Sequence, residues 1–254
     1  MSANRLKLNA DKTELLFASS SRSCAMLSGK YLVLQLGADT AVTCSHVRLL
    51  GVDISTDLSL DHHVSRVCAG CYYYLCQLRR IWRSLDSNSL ATLVYVVVNY
   101  RIDYCNAVLD GALRTVTDKL QRVLNAAARV VTSTRKFDRG QDQILHDELH
   151  WLDVPDRMFF KLAVTVHWCL NGRAPLYLSD YCVPAAGADT WRQLCSSNRQ
   201  LLAVPRYRLN TYGRRAFSVV GPTVWNSLPD FIGEPTIIVD CFRRLLKTYL
   251  SARY

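Results

Sequence analysis

All seven prolines of this 254-residue chain fall at or after Pro155, so nothing in the first 154 residues forces a helix or strand to break. Regular structure is expected before Pro155 and a more loop-broken chain after it. Within the proline-free part the apolar period changes once. Residues 12–55 carry short apolar or alternating runs at Thr13–Ala18, Tyr31–Leu36 and His46–Ile54, separated by Ser-rich and Gly-Ala-Asp turns, and these read as strands. From Asp61 the apolar positions are Val64, Val67, Cys68, Cys71, Leu75, Leu78 and Trp82, spaced 3, 1, 3, 4, 3 and 4. That spacing is one face of a long helix. Asp57 or Asp61 is expected to cap its start, and the basic end "QLRRIWR" suits the helix dipole.

A second helix is expected over Ser87–Asn99, a third element through "RIDYCNAVL", and a further helix after Gly111. The inward stripe of that last helix reads Leu113, Val116, Leu120, Val123, Leu124, Ala127 and Val131, with Arg114, Lys119, Arg122 and Arg129 on its other faces. A polar loop, "STRKFDRGQD", follows, then a short helix in "ILHDELHWL". Pro155 is placed to begin the next helix, which runs to about Leu170 and stops at "NGRAP". Residues 172–213 hold no period. The amphipathic "IIVDCFRRLLKTYL" closes the chain, with Ile238, Phe242, Leu245 and Tyr249 on a shared face. The fold class implied is α+β, mostly α: a small antiparallel β part at 1–56, a helical bundle at 57–151 and a loop-rich helical region at 152–254.

Half the residues are hydrophobic, enough for a buried core. The net charge is +10, and residues 152–254 contribute 13 basic against 7 acidic side chains. A basic balance rich in Arg favours a polyanionic partner. The ten cysteines are scattered through apolar stretches and the N-terminus is polar, without the apolar core of a secretory signal. They read as reduced thiols of an intracellular protein, cytoplasmic or nuclear. The most apolar run, Leu90–Val98, is about half a bilayer span and gives way to Asn99, Arg101 and Asp103, so no membrane segment is expected.

Cys68 and Cys71 form a CxxC, but no second such pair exists to complete a zinc site, and both fall on the apolar helix stripe. Core packing is the reading taken. His146 and His150 sit at i and i+4, yet Asp147 stands where a zinc hydrolase needs its glutamate base, and a buried amphipathic helix fits better. Asp53, Asp57 and Asp61 are read as turn and cap residues rather than magnesium ligands. Two clusters mix guanidinium with aromatic rings: "LRRIWR", with Arg79, Arg80 and Arg83, and "VPRYRLNTYGRRAF", with Arg206, Arg208, Arg214 and Arg215. Each is either a solvated basic surface or one that tracks a nucleic-acid backbone and stacks bases.

The serial order of "NRLKLNADKTELL", "HVRLLGVDISTDLSLDHHV", "YRIDYCNAVLDG", "LQRVLNAAARVV", "LHWLDVPDR", "APLYLSDY" and "AFSVVGPTVWNSLP" resembles the C-terminal part of a reverse transcriptase. The resemblance is to the jockey-like group of non-LTR (LINE-type) retrotransposons and covers nearly the whole chain. It implies that residues 1–56 are the end of an RNA-directed DNA polymerase palm and that the helices up to residue 151 are a thumb. Residues 152–254 would be the C-terminal extension. Lys12 would match a palm lysine that protonates the departing pyrophosphate. The turn at Leu50 and Gly51 would belong to the hairpin that grips the primer.

Polymerases of this kind hold two metal ions on palm aspartates, chiefly an aromatic-x-Asp-Asp motif. No Asp-Asp pair occurs in these 254 residues. The resemblance therefore implies a truncated transposable-element product, inactive alone, with no cofactor of its own, magnesium belonging only to the intact parent. The expected partners are RNA or RNA–DNA duplex, bound without sequence preference, and a missing palm supplied in trans. The alternative is a helical protein-interaction module without nucleic-acid function.

Overall fold

The computed structural model describes Asn9 and residues 12–18, 33–36, 39–134, 144–185, 201–207 and 213–254. Most of the expected polar loop before Ile144, the first residues of the second expected strand, and Arg208 lie outside the described residues. The chain divides into two compact units, Met1–Arg66 and Val67–Tyr254. Small sheets fill the first and helices the second, an α+β architecture that is mostly α.

In the first unit, β1 (Leu15–Leu16), β2 (Val33–Leu36) and β3 (Asp39–Cys44) form a sheet in the order β1-β3-β2. β2 and β3 are antiparallel, whereas β1 lies parallel to β3. β3 occupies a stretch that reads as a Gly-Ala-Asp turn; its Thr-Ala-Val-Thr alternation is short but β-branched enough to pair with β2. β4 (His46–Leu49) and β5 (Val52–Ser55) form a separate antiparallel hairpin, registered from His46↔Ser55 to Leu49↔Val52.

Helix α1 spans Asp61–Ile81. Its buried face is Val64, Cys68, Cys71, Leu75 and Leu78, while Val67 and Trp82 of the expected stripe are half-buried, Trp82 lying past the end of the helix. Leu60 holds the cap position, its carbonyl accepting from the Val64 N–H at 2.8 Å, and Asp61 stands in the first turn. Asp57 instead closes the preceding turn, accepting from the Ser59 N–H at 3.0 Å and the Ser55 hydroxyl at 2.7 Å. Burial pushes the Cys71 thiol up to about 11, the behaviour of a packed thiol.

In the second unit, α2 (Ser87–Val94), capped by the Asp86 carboxylate, runs through a wide π-helical turn, Tyr95–Asn99, into α3 (Tyr100–Asp103). A 3₁₀ turn at Asn106–Leu109 leads to α4 (Arg114–Val131). The α4 core face is Val116, Leu120, Val123, Leu124 and Ala127 as expected, but Val131 is half-buried and Leu113 is 75% exposed. Leu113 is the residue before the first helical turn, so its side chain escapes the periodic face.

A second π-helical turn, Ile144–Glu148, precedes α5 (Val154–Leu170), where Pro155 does occupy the first turn. Because that turn ends at Glu148 and His150 takes φ 52°, His146 and His150 do not share a helix face. His146 donates to the Trp151 carbonyl at 2.9 Å and stacks on the Tyr254 ring at 3.5 Å.

The short α6 (Leu176–Ser179), then α7 (Phe217–Asn226) and α8 (Val239–Ser251) complete the unit. α7 packs on α5 at Gly221, where an added Cβ would lie 3.2 Å from Val166. The buried side of α8 is Val239, Phe242, Leu246 and Leu250, one position on from part of the expected face, and Ile238 is exposed. Phe242 stacks on His167 at 4.4 Å, and the buried His167 donates from Nε2 to the Ile237 carbonyl at 2.9 Å. A buried polar ring placed so is satisfied structure rather than a site.

Candidate nucleic-acid interface

The β4–β5 turn takes φ 47° at Leu50 and 84° at Gly51, the paired left-handed values of a two-residue hairpin turn whose twist matches its strands. Glycine adopts this freely, while Leu50 adopts it at a cost. Leu50 is 82% exposed and Leu49 beside it is also exposed, so the turn ends in an apolar tip. Arg66, one turn into α1, fixes the hairpin from behind. Its Nη2 donates to the Gly51 carbonyl at 2.9 Å and lies 2.9 Å from Asp53 Oδ2. The Asp53 side chain is 4% exposed and also has His62 Nδ1 at 3.4 Å. The Asp53 N–H points to His63 Nδ1 at 3.5 Å, which requires that nitrogen to be unprotonated. Burial, then the Arg66 charge, lowers the His63 pKa in keeping with this. Lys12 is exposed, its backbone N–H bonded to the Asn9 carbonyl at 3.2 Å.

In the second unit Arg79 and Arg80 are exposed in the last turn of α1, and Arg83 follows in a 3₁₀ turn, Trp82–Ser84. The Arg83 guanidinium lies 5.7 Å over the Trp82 ring. Tyr72, Tyr73 and Cys76 continue the exposed line toward the N-terminus, at helical spacing opposite the buried cysteine face. From Tyr73 to Arg83 this ridge runs about 15 Å at 1.5 Å per residue. Arg101 from α3 lies on the adjoining flank of α1, its guanidinium 4.8 Å over the half-buried Tyr74 ring. Stacked guanidinium groups keep their charge outward while their planes rest on aromatic faces.

The second basic cluster is built differently. Asn226 holds the segment leading to it in a two-bond clamp, donating to the Leu202 carbonyl and accepting from its N–H, both at 2.8 Å. Gly213 permits close approach of Tyr207, whose Cβ would lie 2.8 Å from an added Cβ. This brings Arg206 and Arg214, both exposed, to one neighbourhood. Arg215 is half-buried and donates to the Val108 carbonyl at 3.2 Å, tying its turn to the one before α4. Burial raises the Asp110 carboxyl above its ordinary value, and the nearby Arg214 and Arg215 oppose that rise. Arg215 thus joins two turns, while Arg79, Arg80, Arg83, Arg206 and Arg214 face solvent.

Four residues escape the sequence reading: Arg66, Tyr72, Tyr73 and Arg101. Tyr72 and Tyr73 leave a signal there, as helical partners of the arginine ridge. Among the described residues no three His, Cys, Asp or Glu side chains gather as a metal site would need, and no helix is long and apolar enough to cross a membrane. No protein-family model, curated protein or solved structure matches the chain.

Proposed function

We propose that this chain is the palm-end, thumb and C-terminal part of a jockey-like non-LTR retrotransposon reverse transcriptase, retaining sequence-independent binding to RNA or RNA–DNA duplex. The family reading rests on the ordered series of sequence motifs. The single observation that carries the binding is the arginine and tyrosine ridge along α1. Arg79, Arg80 and Arg83 would contact phosphates, which position a duplex without reading its bases. Tyr72 and Tyr73 would supply stacking faces for unpaired bases. These 254 residues hold no Asp-Asp pair, so nucleotide transfer would need a palm from outside them, with its magnesium. Only in that company would Lys12 have a pyrophosphate to protonate.

The test is fluorescence anisotropy with a labelled RNA–DNA hybrid of arbitrary sequence. Arg79→Glu, Arg80→Glu and Arg83→Glu together should weaken binding at least about tenfold, with an unchanged circular dichroism spectrum. Equal affinity of the triple variant and the parent chain would sink the assignment.

One observation favours the second reading, a helical protein-interaction module. Leu93, Val96, Tyr100 and Tyr104 are exposed at helical spacing along α2, its π turn and α3. A stoichiometric protein complex that survives nuclease and is lost with Val96→Asp and Tyr100→Asp would support that reading instead.

A further inference from the structure

The second unit contains a cavity of about 280 Å³, lined in part by Tyr95, Trp151, Phe160, Arg157, Lys161 and Lys247. Both π-helical turns lead to it: Tyr95 begins one, and His150, at φ 52°, follows the other and joins the lining. Irregular helical turns and left-handed non-glycine residues are kept where surrounding structure enforces them, often at binding sites.

The charge around the cavity is uneven. Asp103 is the one carboxylate among the described lining residues, and both its oxygens are taken by Arg157 Nη1 at 3.1 and 3.0 Å, while Arg157 Nε donates to the Leu152 carbonyl at 2.7 Å. That pair is internally neutral. Lys161 and Lys247 are exposed at the rim, with no acidic partner among the described residues. The site therefore presents two uncompensated cations beside aromatic walls. The most buried polar wall is Asn106, 2% exposed, whose Oδ1 meets no donor among the described residues. A buried acceptor left so is costly until a donor arrives.

We propose that this cavity binds a phosphorylated planar heterocycle, a nucleoside monophosphate unit, with the phosphate between Lys161 and Lys247. The ring lies against Trp151, Tyr95 and Phe160, and an N–H of the base edge reaches Asn106. The volume is at the small end of ligand clefts, about 300–1,000 Å³, and suits one nucleotide rather than a run of them. The unit could arrive as a free nucleotide or as the phosphorylated end of a strand. The inference does not rest on the duplex-binding ridge, which uses none of these residues.

The experiment titrates the full chain with AMP, with adenosine, with N6,N6-dimethyl-AMP, and with a short oligonucleotide carrying or lacking a terminal phosphate. Binding is read by calorimetry and by tryptophan fluorescence, with Trp151→Phe as the control for signal origin. Saturable binding is expected at or below about 1 mM for AMP, for the phosphorylated oligonucleotide, or for both, the pattern identifying the source. Adenosine, the dimethylated nucleotide and the unphosphorylated strand should bind at least about tenfold more weakly. Lys161→Glu with Lys247→Glu, both exposed and so compatible with folding, should cost a similar factor. No saturable binding by either ligand overturns the proposal. So does adenosine or the dimethylated nucleotide matching AMP, or the double lysine variant binding as well as the parent.

Discussion

Replacing Arg66 by Met keeps its aliphatic length and removes both contacts that hold the β4–β5 hairpin. The Asp53 carboxylate, 4% exposed, loses the guanidinium at 2.9 Å, and the Gly51 carbonyl loses a donor at the same distance. Removing one member of a fully buried pair costs about 3–5 kcal/mol, because the other charge is left behind. Two features reduce that here. The Arg66 side chain is 38% exposed, so water enters where it stood, and His62 remains 3.4 Å from Asp53. A local cost of about 2–3 kcal/mol follows, or about 30- to 150-fold faster hydrogen exchange of the β4–β5 amides. Hydrogen exchange with mass spectrometry on the full chain reads this directly. Adding Asp53→Asn to Arg66→Met should recover part of the loss, since it removes the stranded charge. Exchange changed less than about threefold by Arg66→Met would refute the claim that this pair fixes the hairpin.

His63 and His167 both have pKa values lowered chiefly by burial. The unfolded chain takes protons before the folded one does, so their contribution is full above the unfolded value of about 6.5 and is lost as pH falls through the lowered folded values. Urea midpoints should therefore fall between pH 7 and 5.5; a flat or rising midpoint contradicts this. Burial pushes the Cys71 thiol up to about 11 and Cys182 up to about 12, whereas Cys76 and Cys241 are exposed. Among the described cysteines, iodoacetamide at pH 8 should label Cys76 and Cys241 before Cys71 and Cys182, and early labelling of Cys71 would count against its packing. Gly111→Ala places a Cβ 3.1 Å from Arg215 Cγ at φ 68°, whereas Gly172→Ala, at φ 64°, meets open space. Both should lower the melting temperature through backbone strain of about 1–2 kcal/mol, Gly111→Ala by the larger amount.

Elements with a sustained period are legible in the sequence. The cysteine face of α1, the Leu120–Ala127 face of α4 and the proline start of α5 all follow from spacing and a fixed φ. The misplacements occur where a period is brief or its end undefined. Leu113 precedes its helix, β3 opens on the Asp of a Gly-Ala-Asp turn and has Val42 as its one large apolar side chain, and Ile238 stops one residue before α8 begins. The expected pairing of His146 with His150 fails because a π turn closes between them, and no residue pattern announces that change. Contacts such as Arg66 with Asp53 and Arg215 with Val108 join separate elements and leave no local period to read. The arginines of the α1 ridge are visible as a cluster, while the tyrosine that supports Arg101 is brought to it only by packing of α3.

The central claim is that the basic ridge meets a nucleic-acid backbone, and the slope of log affinity against log salt for an RNA–DNA hybrid tests it most directly. Each neutralised phosphate contributes about −0.7 to −0.9 to that slope, so three to four arginine contacts give about −2 to −4. Arg79→Glu, Arg80→Glu and Arg83→Glu together should flatten it by about 2. A slope shallower than about −1, or no binding at 50 mM salt, would contradict the account.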